Sequence, residues 1–304
     1  IKIISLNLSR KNQLFNFIKK VIKLRNIIKV INPDIIQTWM YHSNFISLFI
    51  PKKYNKKTFW NIRHSELNLK ISKKMTIFLS LICGIFSRII PIKIIYCSEK
   101  SIKFHENIHC YSKKRSILIN NGYNENIFYP SDKFRKKFRR INKINKNSII
   151  LGFAGRFAKQ KNIESMLHAF SKLIKNHKNI YLYMVGRDIN YKNEELVQLV
   201  SKYQINNKVI FLNEQKNLLE FYNGIDLLLL TSHSESFPNV IAEAMLCSTP
   251  VLSSDAGCSK KIIGNNGFVL NKNDYISIFR SLSKAINLFI QKRKKWNFLK
   301  LNSR

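Results

Sequence analysis

Two patterns of apolar residues alternate along the chain. In one, apolar residues recur at helical spacing, and in the other they form short continuous runs. Residues 13–30 carry apolar side chains three and four positions apart, which predicts an amphipathic helix. Short continuous apolar runs, such as IDLLLL at 225–230, are typical of strands that are buried on both faces of a parallel sheet. Strands and helices are therefore predicted to follow one another in turn, which indicates an α/β fold.

The first half of the chain contains several short β-branched runs, each followed by polar residues or by Asn and Gly. Strands are predicted at 1–6, from residue 34, and at 57–62, 92–97 and 116–119. Pro33 marks the turn before the second of these strands, because proline fixes the break and β-branched residues follow it.

The alternation restarts after a basic, polar stretch at 131–148, which we interpret as a linker. Strands are predicted at 148–155, 180–186, 208–212, 225–230 and 249–254, and helices at 163–174, 193–203, 218–222, 238–246 and 274–290. Two such arrays predict two doubly wound, Rossmann-like domains that face each other across a cleft, with ligands at the carboxyl ends of the strands. The predicted divisions are an N-terminal domain at 1–130, a basic linker at 131–147, a C-terminal domain at 148–290 and a basic tail at 291–304.

The charge balance is strongly basic: 53 Lys and Arg against 17 Asp and Glu give a formal net charge of +36. This charge favours anionic partners, namely nucleic acid, acidic lipid headgroups or phosphorylated substrates. The basic residues are mostly lysines accompanied by abundant Ile and Asn, a mixture that an A+T-rich genome produces regardless of function. A nucleic-acid-binding protein is therefore one hypothesis, but the lysines are dispersed and no zinc finger, RRM signature or helix-turn-helix is recognisable.

The cysteines and the longest apolar run indicate the cellular setting. Five cysteines form no CxxC pair and are odd in number, which argues against a zinc site and a disulfide framework and favours reduced, cytosolic thiols. The apolar run at 75–86 has twelve residues, whereas a membrane span needs about 20. We interpret it as a buried helix, with an interfacial role as the alternative. The chain does not begin with Met, and the apolar run at 1–8 is too short for a signal peptide.

Two cations follow the first predicted strand of the second domain, in LGFAGRFAKQKNIE at 151–164. Arg156 comes directly after a glycine, and Lys161 stands at the start of the next helix. Glycine lets a phosphate approach the backbone, the helix N-terminus supplies N–H groups, and two cations neutralise a diphosphate. The loop lacks the GxxxxGK[ST] pattern of a Walker A motif. The residues alone leave open whether this is a phosphate site or an accidental pair in a lysine-rich chain.

A second polar loop follows the strand at 225–230, in TSHSESFPNVIAEAML at 231–246. Pro238 suits the first turn of a helix, where its missing N–H costs nothing, and the N–H groups near Asn239 and Val240 would then point towards a ligand. Glu235 precedes this helix and Glu243 lies inside it among apolar neighbours, so both carboxylates are candidates for binding sugar hydroxyls. A solvated surface role stays open for Glu235.

These residues carry a resemblance. Arg156 and Lys161, then SESFPNVIAEAM with its two glutamates eight positions apart, then STPVLSSDAG, resemble the nucleotide-sugar half of the GT-B glycosyltransferases of family 4, the retaining group. In the first domain, the similar blocks are NPDIIQTWMYHSN, WNIRHSEL, CSEKSIKFHE and ILINNGYNENIFYP. They look most like enzymes that build bacterial surface polysaccharide and lipopolysaccharide, and together the blocks cover nearly the whole chain.

The resemblance implies roles that spacing alone does not show. The implied assignments are Arg156 and Lys161 for the donor diphosphate, with backbone contacts from Asn239 and Val240, Glu243 for the ribose, Glu235 for the transferred sugar, and His64 facing that sugar from the first domain. Glu235 and His64 would be the catalytic pair. Without the resemblance, His64 is an ordinary loop or core histidine.

The activity implied is a retaining transfer of a hexosyl or N-acetylhexosaminyl group. The donor would be a nucleotide diphosphate-sugar, with a UDP-sugar favoured, and the acceptor a glycan, in particular a lipid-linked one, in cell-surface polysaccharide or glycolipid biosynthesis. No DxD motif is present, so neither a metal nor a cofactor is expected, and nucleic acid is not expected as a partner. The basic clusters at 133–146 and 292–300 favour a cytoplasmic protein bound peripherally to the anionic inner face of the membrane.

Some positions depart from the family pattern. Ser236 and Ser248 stand where glycine is usual, and Asn120 stands where proline is usual. The family's opening strand and glycine-rich loop have no counterpart before IKIISL, and its closing helix has none after LNSR, which predicts a chain truncated at both ends. A catalytically inactive remnant that still binds sugar nucleotides is therefore the alternative function.

Overall fold

A computed structural model describes residues 3–6, 14–67 and 72–302 of the chain. The chain divides into two compact units, residues 1–120 and 121–304, each with its own parallel sheet. Every strand pair recorded in the two sheets is parallel, and each sheet has helices in its connections, so both units have α/β architecture.

Unit 1 (residues 1–120) contains a four-stranded sheet. Its strands are β1 (Ile36–Trp39), β2 (Thr58–Ile62), β3 (Lys93–Tyr96) and β4 (Ser116–Leu118), in that spatial order. Its helices are α1 (Leu14–Ile31), α2 (Met40–Ile46), α3 (Lys74–Phe86) and α4 (Glu99–Ile108). The core lies around Trp60 of β2, whose indole N–H donates to Ser47 Oγ at 2.9 Å.

Unit 2 (residues 121–304) contains a six-stranded sheet. Its strands are β5 (Ile149–Ala154), β6 (Ile180–Val185), β7 (Val209–Phe211), β8 (Leu227–Leu230), β9 (Val251–Ser254) and β10 (Phe268–Leu270), in the spatial order β10-β9-β8-β5-β6-β7. Its helices are α5 (Asp132–Ile141), α6 (Ile163–Asn176), α7 (Glu194–Lys202), α8 (Leu219–Gly224), α9 (Asn239–Leu246), α10 (Ser259–Ile263), α11 (Tyr275–Gln291) and α12 (Arg293–Asn302).

The strand order of unit 2 reverses direction between β5 and β8. The chain runs outwards from β5 through β6 to β7, then returns to the other side of β5 and runs outwards through β8, β9 and β10. β8 pairs with β5 in the register Leu151↔Leu227, and side chains on both faces of these strands are buried. At such a reversal, the connections that follow the two neighbouring strands lead away in opposite directions and leave a crevice between them. Doubly wound sheets bind ligands in this crevice, at the carboxyl ends of the two strands.

The predicted linker is wrong, because most of it is a helix of unit 2. Ser131 caps α5 by accepting from the Phe134 N–H, and Phe138 is buried in the core. Arg135 Nη2 donates to Asp226 Oδ1 at 2.6 Å, where the carboxylate is nearly inaccessible to solvent. A buried charge needs such a partner, so this ion pair fixes α5 to the start of β8. The units divide after residue 120, ten residues before the predicted boundary.

Two further expectations differ from the structure. Residues 3–6 of the strand predicted at 1–6 have no strand pairing, and residues 1–2 lie outside the described residues. A strand needs a hydrogen-bonded neighbour, and among the described residues β1, at the edge of the sheet, pairs only with β2. The basic tail predicted at 291–304 contains α12, which is ordered by Trp296, a fully buried side chain that packs edge-on against Phe289 of α11.

The apolar run at 75–86 forms α3, but only one face of it is buried. Leu79 and Cys83 lie in the core of unit 1, whereas Met75, Phe78 and Ile85 are exposed. The prediction of a buried helix is therefore correct for one face only. In the part of the chain that the structure describes, no helix is both long enough and apolar enough to cross a membrane.

Candidate functional site

The candidate site lies at the carboxyl ends of β5 and β8, the two strands that flank the reversal in strand order. The loop after β5 carries Arg156 and Lys161, and the loop after β8 carries Glu235. The next helix, α9, begins at Asn239. Four of the residues predicted for donor binding are thus brought to one edge of one sheet by its parallel topology.

Hydrogen bonds join the two loops directly. The Thr231 hydroxyl donates to the carbonyl of Lys161 at 3.1 Å, and the backbone N–H of His233 donates to the carbonyl of Gln160 at 2.8 Å. The side-chain amide of Gln160 in turn donates to the carbonyl of Ser234. Because the bonds run in both directions between the loops, each loop holds the other in place.

Lys161 and Glu235 form an ion pair across these loops. Lys161 Nζ lies 2.5 Å from Glu235 Oε1, and only 15% and 13% of the two side chains are accessible to solvent. Arg156, the other predicted diphosphate ligand, is exposed. The site therefore has one cation that is paired and shielded and a second cation that faces solvent.

Glu243 lies one turn into α9, and its carboxylate is held by a tyrosine. The Tyr222 hydroxyl donates to Glu243 Oε2 at 2.7 Å, and the Thr249 hydroxyl donates to the Tyr222 carbonyl at 2.6 Å. Burial raises the pKa of Glu243, and the hydrogen bond from Tyr222 partly offsets this rise. One carboxylate oxygen is thus fixed by the protein, and the orientation of the other is fixed with it.

The first turn of α9 is anchored by the loop at 121–123. Asn121 Nδ2 and the Tyr123 hydroxyl both donate to Asn239 Oδ1, at 2.8 and 2.7 Å. The Tyr123 ring stacks against that of Phe237, with ring centres 6.0 Å apart and an angle of 27° between the planes. The side-chain oxygen of Asn239 is therefore used within the protein. What Asn239 and Val240 offer a ligand is the backbone N–H groups of a helix start, which have no intrahelical acceptor.

The positions that depart from the family pattern have identifiable structural consequences. Ser248 has a φ of +57°, so this position requires the left-handed conformation that glycine adopts most easily. Ser236 is buried, and its carbonyl accepts from the backbone N–H of Cys258 at 3.3 Å. Asn120, in unit 1, donates from Nδ2 to the carbonyl of Cys97 at 3.0 Å, a bond that a proline cannot make.

His64 belongs to unit 1 and follows the carboxyl end of β2. Its carbonyl accepts from the Ser101 hydroxyl at 2.5 Å, and its ring lies 5.6 Å from the ring of Tyr41, centre to centre. Tyr41 also donates to His105 Nε2 at 2.7 Å. The histidine therefore lies against a buried polar cluster of unit 1.

The sequence did not reveal the residues that hold the predicted donor-binding side chains in place. Tyr222, Thr231, Gln160 and Gly257 carried no assigned role. Only Tyr222 left a signal in the sequence. It lies in a predicted helix next to a buried strand, and a buried tyrosine hydroxyl needs a hydrogen-bond partner. Across 3–6, 14–67 and 72–302, no group of three His, Cys, Asp or Glu side chains is arranged to hold a metal ion.

Comparisons with known proteins agree with this architecture. The family described as "Glycosyl transferases group 1" matches residues 134–299. The probable sucrose-phosphate synthase of Thermosipho melanesiensis is 29% identical over 176 residues, which are 56% of this chain and 40% of that protein. The capsular polysaccharide biosynthesis glycosyltransferase CapM of Staphylococcus aureus is 26% identical over 168 residues, which are 54% of this chain and 42% of CapM.

A crystal structure with a similar fold extends over both units. HepE of Anabaena, solved in complex with UDP and glucose, matches with a TM-score of 0.82 and 20% identity, covering 98% of this chain and 78% of HepE. The chain therefore has the GT-B fold, as predicted. The chain spans less than half the length of the two curated relatives named above.

Proposed function

Since the chain belongs to the glycosyl transferases group 1 family, we propose that it transfers a sugar from a nucleotide diphosphate-sugar to a glycan acceptor. The observation that carries this proposal is the arrangement at the switch point of unit 2. Lys161 and Glu235 from adjacent loops, the N-terminus of α9, and Glu243 oriented by Tyr222 meet at the carboxyl edge of one sheet. These groups suit the diphosphate, the sugar and the ribose of such a donor.

In the proposed reaction, the cations and helix dipole act on the leaving group. Lys161, Arg156 and the N–H groups of Asn239 and Val240 bind the diphosphate and stabilise the charge that grows on it as the bond to the sugar breaks. This positive charge acts in place of a metal ion. Glu243 accepts hydrogen bonds from the ribose hydroxyls.

The sugar is transferred with retention in this proposal. The acceptor hydroxyl forms its bond to the anomeric carbon on the face from which the diphosphate departs, and its proton passes to the departing phosphate oxygen. Glu235 accepts hydrogen bonds from the transferred sugar, and His64 is proposed as the second catalytic residue. We propose a hexosyl or N-acetylhexosaminyl group and an acceptor of surface-polysaccharide or glycolipid type. The name of the CapM relative supports a polysaccharide product, and the ligands of HepE support a UDP-sugar and a hexosyl group.

Calorimetry with UDP, GDP and UDP-glucose tests donor binding. We expect Lys161→Ala and Glu243→Ala each to weaken nucleotide binding at least about tenfold. Lys161→Ala removes a charged hydrogen-bond donor to the diphosphate, and Glu243→Ala removes a charged hydrogen-bond acceptor for the ribose. Lys137→Ala is the matched control. Lys137 also forms an ion pair with a glutamate, Glu220, but it lies on α5 and not in the loops of the candidate site. Failure of the wild-type chain to bind any of the three ligands would overturn the proposal. Binding without turnover of any sugar nucleotide would favour the inactive remnant.

We further propose that the chain docks on an anionic membrane through the exposed face of α3, where a lipid-linked acceptor would be found. Met75, Phe78 and Ile85 are exposed along one side of this helix. Basic residues lie at both of its ends, Lys73 and Lys74 at the start and Arg88 just beyond the end, and the sequence from 67 to 98 contains no Asp or Glu. An apolar face with flanking cations suits an interface of anionic headgroups over acyl chains.

Vesicle sedimentation tests the membrane surface. We expect binding to vesicles of phosphatidylcholine with phosphatidylglycerol and little binding to phosphatidylcholine alone. Phe78→Ser with Ile85→Ser is expected to reduce binding about tenfold or more, because each removes an apolar side chain from the lipid. Ile108→Ser, at an equally exposed isoleucine at the end of α4, is the control. Equal binding by the double variant and the control would contradict docking through α3.

A further inference from the structure

The Lys161–Glu235 ion pair differs from the other Lys–Glu pairs in the described part of the chain. In Lys202–Glu164 the side chains are 59% and 54% exposed, and in Lys137–Glu220 they are 47% and 34% exposed, against 15% and 13% for Lys161–Glu235. Water and salt screen an exposed pair, and such pairs contribute little. The electrostatic interaction of Lys161 with Glu235 is screened much less.

The position of this pair is set by the backbone as well as by charge. Lys161 ends a short 3₁₀ turn at Lys159–Lys161, and its carbonyl accepts from Thr231. Glu235 follows Ser234, whose carbonyl accepts from Gln160. Both loops are therefore tied together next to the pair, and their backbones hold the carboxylate beside the ammonium group.

A diphosphate that binds Lys161 therefore approaches the negative charge of Glu235. The intact nucleotide-sugar carries one charge on each phosphate, because the outer phosphate is esterified to the sugar. The free nucleotide diphosphate gains a second charge on its outer phosphate, whose last proton is lost with a pKa of about 6. The repulsion from Glu235 is consequently larger for the product than for the donor.

From this geometry we infer that Glu235 is a specificity-determining residue: its carboxylate, held against Lys161, selects the intact nucleotide-sugar over the nucleotide diphosphate product. This inference rests on the proposed function. It gives Glu235 a role at the leaving group in addition to its contact with the sugar. The consequence is weaker product retention after each transfer.

Calorimetry at pH 7.5 with UDP and UDP-glucose tests the inference. We expect Glu235→Gln, which keeps the shape and removes the charge, to bind UDP about fivefold more tightly than the wild type. The affinity for UDP-glucose should rise less, so the ratio of the two affinities shifts towards UDP. Glu235→Asp keeps the charge and is expected to remain within about twofold of the wild type for UDP. Glu220→Gln removes the charge of an exposed pair and should change neither affinity.

The pH dependence of binding, compared between the wild type and Glu235→Gln, provides a second measurement. Lowering the pH from 7.5 to about 5.5 protonates the outer phosphate of UDP and gives UDP the charge of UDP-glucose. Protonation weakens both the attraction of UDP to Lys161 and Arg156 and its repulsion by Glu235. The ratio of UDP affinity to UDP-glucose affinity should therefore fall about threefold less in the wild type than in Glu235→Gln.

The outcomes separate this inference from the proposed function. Absence of binding of UDP, GDP and UDP-glucose by the wild type overturns the proposed function and the inference together. Binding that depends on Lys161, with UDP affinity unchanged or lowered in Glu235→Gln and the same pH dependence of the affinity ratio in both proteins, overturns the inference alone. A rise in UDP affinity confined to Glu235→Gln, with a steeper fall of its affinity ratio at low pH than in the wild type, supports it.

Discussion

At the scale of single residues, Tyr222 controls the state of Glu243. The tyrosine is fully buried, and its hydroxyl has the Glu243 carboxylate as acceptor. Burial alone favours the neutral carboxylic acid, and burial raises the pKa of Glu243 accordingly. The hydrogen bond from Tyr222 favours the charged form, so it supports both the ionisation and the orientation of the group proposed to bind ribose.

Tyr222→Phe should therefore weaken nucleotide binding while preserving the core packing. We expect UDP affinity to fall about tenfold, because a hydrogen bond to a charged group is worth roughly 1.5–3 kcal/mol. Calorimetry measures the effect, and Tyr183→Phe, at a buried tyrosine of β6, serves as the control. If Tyr222→Phe binds UDP as tightly as Tyr183→Phe does, Tyr222 has no part in positioning Glu243.

Ser248 stores backbone strain that glycine would release. Its φ of +57° lies in the left-handed region, where a non-glycine residue costs about 1 kcal/mol or more. We expect Ser248→Gly to stabilise unit 2 by about 0.5–1 kcal/mol, because the relief of strain exceeds the added chain entropy of glycine. Ser112→Gly, at a φ of −69°, should destabilise instead. Denaturant titration of both variants gives the comparison, and a loss of stability in Ser248→Gly would contradict it.

At the scale of elements, the loop after β9 holds the loop that carries Glu235. Gly257 has a φ of +62°, and a Cβ placed there would collide with the carbonyl oxygens of Glu235 and Ser236. The Cys258 thiol also donates to the Ser236 carbonyl at 3.0 Å. This close approach is possible only because position 257 has no side chain.

Gly257→Ala and Gly264→Ala form a matched pair for testing this contact. Gly264 has a similar φ of +55°, but a Cβ there meets open space. Gly257→Ala should cost about 1 kcal/mol of backbone strain, and Gly264→Ala more, because the ψ of −126° at Gly264 lies outside the left-handed helical region. Only Gly257→Ala must also move Glu235, so we expect it alone to change the affinity for UDP, by about fivefold or more. Equal UDP affinities in the two variants would show that the loop after β9 does not position Glu235.

A buried histidine on α4 makes unit 1 sensitive to acid. His105 Nδ1 lies 2.7 Å from the carbonyl of Ser101, which can only accept, so Nδ1 carries the proton and Nε2 accepts from the Tyr41 hydroxyl. Burial lowers the pKa of His105 from 6.5 to about 3. The folded state therefore keeps this imidazole neutral, while the unfolded chain takes up a proton below pH 6.5.

The contribution of His105 to stability is complete above pH 6.5 and is lost as the pH falls towards about 3. Over this range His105 should add about 1.4 kcal/mol per pH unit to the loss of unfolding free energy. His105→Gln removes the titrating group, so the variant should have a shallower pH dependence than the wild type. Denaturant titrations between pH 7 and 4 measure the difference, and parallel curves would contradict the assignment. Direct ¹⁵N NMR of the His105 ring provides a separate check of the Nδ1–H tautomer.

At the scale of the whole molecule, the sequence predicted the elements that leave a local pattern of apolar residues, but not the contacts between distant positions. The apolar runs predicted β5, β6 and β8, because strands that are buried on both faces leave a continuous signal. The basic composition of α5 obscured a helical spacing that Phe134, Phe138 and Ile141 do carry. The donor residues were found through a family resemblance, whereas the Lys161–Glu235 pair joins positions 74 apart and depends on strand order. No local pattern encodes such a contact.

The division into two units predicts two unfolding transitions. The six-stranded sheet of unit 2 has extensive buried clusters on both faces, whereas the main cluster of unit 1 is smaller, so unit 1 should unfold at the lower temperature. Calorimetry at pH 7.5 should therefore give two heat-absorption peaks. Ser248→Gly is expected to raise the temperature of the upper peak only, since position 248 lies in unit 2. Lowering the pH to 4.5 should lower the temperature of the lower peak more in the wild type than in His105→Gln. A single peak that both changes shift together would mean that the units unfold as one cooperative body, because two-state behaviour requires every stabilising change to act on the same transition.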